Sequence, residues 1–201
     1  MAFSQETEAD QPVDRVAGGS APPRAGSQAL VDVLSCTYTE QGSSLLALHD
    51  KDALLLVFLR HFGCSYCRQS IHDVAQIKQE LEARKVRPVF VHLGTPERAR
   101  PYFEYYGLSQ VERVSDPQAQ LYGHPAFRLS RTHPLSHFFQ PKVLKGWIMG
   151  GIRRYGIGWI SDDSYQMPGV FVLRDRQIVN SFRFKTIADQ PDYLGLVGNR
   201  T

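Results

Sequence analysis

Residues 53–59 read Ala-Leu-Leu-Leu-Val-Phe-Leu, an apolar run with no polar alternation. A short run of this kind predicts a strand buried on both faces, which in turn requires covering layers on either side. After Gly63 the pattern changes. Apolar residues now fall at Cys67, Ile71, Val74, Ile77 and Leu81, the spacing of a helix. Between strand and helix lies Cys64-Ser65-Tyr66-Cys67. The first cysteine is therefore expected at a helix N-terminus, above the carboxyl end of a central strand. Unpaired backbone N–H groups there favour a thiolate over a thiol.

A C-x-x-C pair in a β-to-α setting reads as a redox dithiol. Structural zinc needs four ligands, whereas Cys36 is the only other cysteine and His72 lies well down the helix, away from its first turn. Haem attachment needs histidine directly after the second cysteine, and Arg68 stands there. Asp162-Asp163 reads as a turn or helix cap. Neither a metal nor a cofactor is expected.

Charge narrows the partners. A net charge of +3 is small for 201 residues, and basic residues come in pairs such as Arg153-Arg154, without interleaved stacking aromatics. Nucleic-acid binding is not expected. Residues 1–14 are polar and acidic, with none of the features of a secretory signal. The longest apolar run is too short for a membrane span. The expected compartment is the cytoplasm, where such a dithiol cycles. Small apolar neighbours (Val31, Val33, Leu34) predict that Cys36 is a buried, inert thiol.

Residues 1–27 are rich in Ala, Gly, Ser and Pro and are expected to form a flexible N-terminal tail, with one domain over 28–201. Leu30–Leu34 and Leu45–Leu48 are short apolar segments around a turn at Gln41-Gly42, placed to cover the buried strand. Val86–Leu93 predicts a second strand. Thr95-Pro96 predicts a capped helix start, and Gly107 its stop. Val111–Val114 is a short strand, and Asp116-Pro117 repeats the cap-then-proline start before Tyr122-Gly123. Residues 125–166, with both tryptophans, suggest an insertion that walls the site. Val170–Leu173 and Ile178–Phe184 around Asp175-Arg176 predict a hairpin, and a helix near Asp192–Val197 closes the chain. The order predicts an α/β fold: a parallel core extended by a C-terminal antiparallel hairpin, flanked by helices. Ligands in such sheets bind at the carboxyl ends of the strands.

Three segments carry a family resemblance: Leu56 through Arg68, Ser115-Asp116-Pro117 through Tyr122-Gly123, and Gln166-Met167-Pro168-Gly169 through Leu173. They resemble the thioredoxin-like superfamily, in particular its peroxiredoxin-like (AhpC/TSA-related) branch and, within it, selenoprotein L-like proteins. The resemblance covers residues 40–197 and implies a thioredoxin-like fold. There are departures. Typical peroxiredoxins carry threonine three residues before the peroxidatic cysteine, where this chain has His61. Thioredoxins carry a buried aspartate where this chain has Phe58.

The residues and the resemblance together give a candidate site. Cys64 is the expected nucleophile, and Cys67, one turn on, is placed to resolve a mixed disulfide or sulfenic acid. Arg60 and His61 are candidates for stabilising the thiolate; as consecutive strand positions they are expected on opposite faces, with at most one facing the sulfur. The resemblance implies that Pro168 follows a cis peptide beside the dithiol and that Met167 offers backbone groups to substrate. The resemblance implies that Arg183 could reach the site, as a late arginine does in peroxiredoxins; its residue type alone reads as a solvated strand charge, which is the favoured expectation. The expected activity is thiol-disulfide oxidoreduction, extending to peroxides, with thioredoxin or glutathione as electron donor. A dedicated dithiol peroxidase and a redox-sensing binding module are the alternatives. An antioxidant role is implied by the resemblance.

Overall fold

A computed structural model describes residues 25–133, 141–146, 152–156, 158 and 163–198. The tail expected over 1–27 lies outside this range except for residues 25–27, which belong to a helix. Both tryptophans also lie outside the described residues.

The apolar run over 53–59 does become the central strand. Strands β1 (Ala53–Phe58), β2 (Val86–His92), β3 (Glu112–Ser115), β4 (Gly169–Arg174) and β5 (Gln177–Arg183) form one sheet in the order β3-β2-β1-β4-β5. β1 pairs parallel with β2, and β2 with β3, while β4 runs antiparallel to both β1 and β5. This is the mixed sheet anticipated from the element order. Pro88 sits inside β2, where its missing N–H removes one ladder hydrogen bond on the side that N–H would face. It is accommodated because β3 pairs with β2 only from Val89 onward.

Strand alternation sends β1 into two cores. Leu55, Val57 and Leu59 face one layer, with helices α3 (Ser65–Gln76), α4 (Lys78–Ala83) and α5 (Pro96–Tyr105). Leu54, Leu56 and Phe58 face the other, with α1 (Ala25–Cys36), α2 (Leu45–His49) and α6 (Gln120–Gly123). Phe58 anchors that second core, with its ring 5.0 Å from those of Tyr122 and Phe127 and 5.5 Å from that of Phe171. Aromatic pairs of this kind add about 0.5–1.5 kcal/mol each beyond the area they bury. Short helices α7 (Pro141–Gly146) and α8 (Ile152–Tyr155) precede β4, and α9 (Tyr193–Val197) closes the first layer. Among the described residues no helix is long and apolar enough to cross a membrane.

Leu30–Leu34 and Leu45–Leu48 do cover the central strand, the first as part of a helix with Leu30 and Leu34 buried one turn apart. Several other local expectations need correction. Cys36 is exposed, contrary to its reading as a buried thiol, because it lies two residues beyond Leu34 and so about 200° round the helix from the core. The apolar spacing after Gly63 breaks at Ile77, which separates α3 from α4. Thr95 occupies the cap position of α5, but its side chain makes no capping hydrogen bond. Asp116 does accept backbone N–H groups, from Gln120 at 3.0 Å and Leu121 at 2.9 Å, so the helix starts at Gln120 and not at Pro117. The stop at Gly107 is as read: φ is +73°, and Leu108 N–H donates to the Phe103 carbonyl at 2.7 Å.

Candidate active site

Cys64 caps α3 with extended backbone (φ −82°, ψ 120°). Its carbonyl accepts Arg68 N–H at 3.2 Å, which starts the helix. Both sulfurs are buried: Cys64 is 8% exposed and Cys67 4%. Arg60 N–H donates to Cys67 Sγ at 3.3 Å.

The two thiols are electrostatically unlike. A hydrogen bond from the Cys67 thiol brings the Cys64 pKa down to about 6, aided by the Arg60 charge and the N–H groups of Cys67 and Tyr66, against an opposing push from burial. Cys67 is held well above the usual thiol range because it donates that hydrogen bond, is buried and faces the Cys64 charge. One sulfur is thus anionic at neutral pH while its neighbour keeps its proton. Burial and the same negative charge push the Tyr66 hydroxyl up to about 12, so it stays a donor, to the Val143 carbonyl at 2.8 Å.

Arg60 and His61 lie beyond the end of β1, so strand alternation does not govern them, and both are buried. The Arg60 guanidinium grips the Ser164 carbonyl, with Nε at 2.8 Å and Nη2 as a second donor. Burial, then the charges of Arg60, Arg68 and Arg98, push the His61 pKa down to about 4. The imidazole is therefore neutral at pH 7, and its Nδ1 has no hydrogen-bond partner among the described residues.

Met167 and Pro168 enter β4 along an ordinary trans path. No described peptide bond is cis, which overturns the cis expectation for Pro168. Gln166 bridges Arg131, and Met167 N–H donates to the Ser130 carbonyl at 2.9 Å, so the incoming segment is extended and already paired. The Met167 carbonyl accepts the Gln166 amide at 3.4 Å. Pro168 nonetheless reaches the site and lines a narrow crevice with Leu59, Arg60, Cys64, Tyr66 and Cys67. Arg183 stays away, its guanidinium on the Phe127 carbonyl and over the Phe171 ring in the other layer.

Sequence reasoning missed two groups. Arg68, one residue beyond the motif, ties the dithiol loop to the stretch before β4: Nε donates to the Phe62 carbonyl at 2.6 Å and Nη1 to the Tyr155 carbonyl at 3.1 Å. Its position four residues after Cys64, on the same helix face, was the available signal. The second is a buried ionic triad. Glu40 accepts from Arg113 and pairs with His92, both at 2.8 Å, and the His92 ring lies 5.3 Å from that of Phe62. Burial pushes the Glu40 carboxyl up, but the hydrogen bonds from His92 and Arg113 bring it below the usual range. A larger depression lies at the opposite end of the sheet, around Asp52, Lys78, Lys85 and Glu112, and contains no thiol.

The sheet order and flanking helices define a thioredoxin-like fold. Peroxiredoxin Q from Xanthomonas campestris aligns with a TM-score of 0.52 at 15% identity, over 76% of this chain and 81% of that one. Peroxidoxin BcpB from Mycobacterium tuberculosis aligns with a TM-score of 0.50 at 13% identity, over 76% and 82%. At these identities the likeness is one of fold. No protein-family model and no curated protein matches the chain.

Proposed function

We propose that the chain is a thiol oxidoreductase in which Cys64 attacks and Cys67 resolves. The observation that carries this reading is the placement of Cys64 at the cap of α3, just beyond β1, with Cys67 one turn on and both lining one crevice. The lowering of Cys64 and the raising of Cys67 accord with it. With a disulfide substrate, the Cys64 thiolate attacks one sulfur and the other leaves as a thiolate that takes a proton. Cys67 then loses its proton and attacks Cys64 Sγ, expelling the second substrate thiol and leaving a Cys64–Cys67 disulfide. Two electrons from an external thiol donor, of the thioredoxin or glutathione type, restore the dithiol. Arg60 favours the thiolate by its charge, whereas His61, neutral at pH 7, adds no charge to it. The Pro168 ring forms the substrate-facing edge. The backbone of Met167, already bonded on both sides, holds that edge in place. The expected setting is a reducing compartment such as the cytoplasm, with residues 28–201 acting as one domain and 125–166 as its insertion.

A peroxide is the second substrate class. The narrow crevice favours it, as does the fold shared with peroxiredoxin Q. Here the thiolate takes the terminal peroxide oxygen to become a sulfenic acid and an alcohol leaves, after which Cys67 displaces water. Intact mass after stoichiometric peroxide tests both steps. The wild type should lose two hydrogens, Cys67→Ser should gain one oxygen, and Cys64→Ser should remain unchanged. Equal alkylation of the two thiols at neutral pH would overturn the assignment.

A further inference from the structure

The loop that carries the dithiol is fastened to the stretch before β4 at four points, and each fastening ends on a backbone carbonyl. Tyr66 Oη donates to Val143, Arg60 to Ser164 and Arg68 to Tyr155, while Gly158 N–H donates to Gly63 at 3.0 Å. The residues so fastened are those that flank or separate the two cysteines. Two of the residues so fastened to this wall, Arg60 and Tyr66, line the crevice that reaches Cys64, and Cys64 itself is 8% exposed.

Arg68 is the hub of the arrangement. Its guanidinium holds the Phe62 carbonyl with Nε and the Tyr155 carbonyl with Nη1, reaches the Tyr102 hydroxyl with Nη2 at 3.4 Å, and lies 4.9 Å from the Tyr102 ring centre. The Tyr102 ring in turn stacks on Phe62 at 4.8 Å. Among the described residues Arg68 has no carboxylate partner, so all its donors serve positioning. The wall is shaped to it. A Cβ on Gly156 would come within 2.8 Å of Arg68 Nη1, and one on Gly158 within 2.5 Å of Nη2 and 3.2 Å of Gly63 Cα. The guanidinium tip can swing aside, but Gly63 Cα is backbone, so a side chain at 158 must shift the wall by a few tenths of an ångström. Gly156, at φ +72°, holds a conformation that favours glycine. Lysine, a single-point donor, cannot hold separate carbonyls in a planar fork.

We propose that Arg68 is a positioning residue that sets substrate size: by clamping Tyr155, Gly156 and Gly158 against the Phe62-Gly63 loop it admits small oxidants to Cys64 and excludes bulky disulfides. This rests on the reading of Cys64 as the reactive thiol, and the test separates the two. In a Cys36→Ser background, Cys64 alkylation is followed by intact mass with iodoacetamide and with a polyethylene-glycol maleimide, across pH. In Arg68→Ala the bulky reagent should gain at least tenfold on the small one, while the pH midpoint for iodoacetamide stays where it is in the parent. Gly158→Ala should produce the same gain by pushing the wall off, and should add nothing in the Arg68→Ala background. Arg68→Lys carries the test if the alanine variant fails to fold. An unchanged size ratio, equal changes for both reagents, or additive effects of the two substitutions would overturn the clamp. A Cys64 no more reactive than Cys67 in every variant would instead overturn the redox assignment.

Discussion

At the amino end of the sheet Arg87 meets Asp52 at 2.7 Å and Arg176 meets Asp50 at 3.0 Å. At the carboxyl end Arg60 and Arg68 meet only carbonyl and hydroxyl oxygens among the described residues. The first pair of arginines is neutralised where water already screens it. The second keeps its charge, in a setting where the Cys64 sulfur is buried and screening is weak. Glu40, Arg113 and His92 form the intermediate case, buried but closed by a carboxylate. The contrast assigns stability to the paired cations, thiolate stabilisation to Arg60 and positioning to Arg68.

The harshest way to break that division is Cys64→Ser. Loss of the thiolate should reduce peroxide and disulfide turnover to background while the fold survives, read by stopped-flow rates and thermal unfolding. Residual turnover at the wild-type rate would place the chemistry elsewhere. Next comes Glu40→Ala, which strands buried Arg113 and His92. Removing one partner of a buried pair costs about 3–5 kcal/mol, so the urea midpoint should fall sharply while Cys64 reactivity per folded molecule is kept. A loss below about 1 kcal/mol would place the triad with surface pairs.

Arg60→Met sharpens the other side. Deleting an adjacent cation should raise the Cys64 pKa by about one to two units and slow alkylation at pH 6.5 several-fold, measured from the pH profile. The sign for stability follows from the same groups. Cys64 ionises near 6 when folded against 9.0 for a free thiol, so its contribution is fully present above about 9 and lost as pH falls through 6. His61, at about 4 against 6.5, contributes stability present above 6.5 and lost as pH falls through 4. The variant should flatten the upper window, and an unchanged profile would remove Arg60 from thiolate stabilisation. The smallest effect is expected for Arg87→Ala. Its side chain is 38% exposed, and such pairs are worth about 0–1 kcal/mol. Thermal unfolding should barely move, and alkylation of Cys64 should not move at all.

What could be read in advance was periodic or local. The apolar run at 53–59, the Asp175-Arg176 hairpin and the Cys64 helix start each declare themselves within a few residues. What stayed hidden required phase or distance. Cys36 has apolar neighbours in sequence, yet helical phase turns it to solvent. The Glu40 triad joins residues 52 and 73 positions apart, a separation that no local pattern encodes. Arg68 entered the sequence argument only as the residue standing where haem attachment needs histidine. Its role depends on Tyr155, which only tertiary packing brings near. The peptide before Pro168 was read by family analogy, and the extended pairing of Gln166 and Met167 decides it locally.

The turn between β4 and β5 bears on the order of folding. Asp175 and Arg176 both take positive φ, 49° and 58°, in a two-residue loop without glycine. Each such residue costs roughly 1–2 kcal/mol, so the hairpin does not close on the strength of its own turn. His49 accepts the Arg176 N–H at 2.9 Å and Asp50 holds its guanidinium, so the end of α2 acts as a clasp from more than a hundred positions away in the chain. A contact that is local by sequence therefore waits on one that is not. We expect β4–β5 to join after α2 and β1 have docked, with φ-values near zero for turn substitutions and higher ones for Leu48. A φ-value near one at the turn would show the hairpin nucleating alone. The same dependence makes the clasp, more than the turn, the kinetic guard against premature pairing of the late strands.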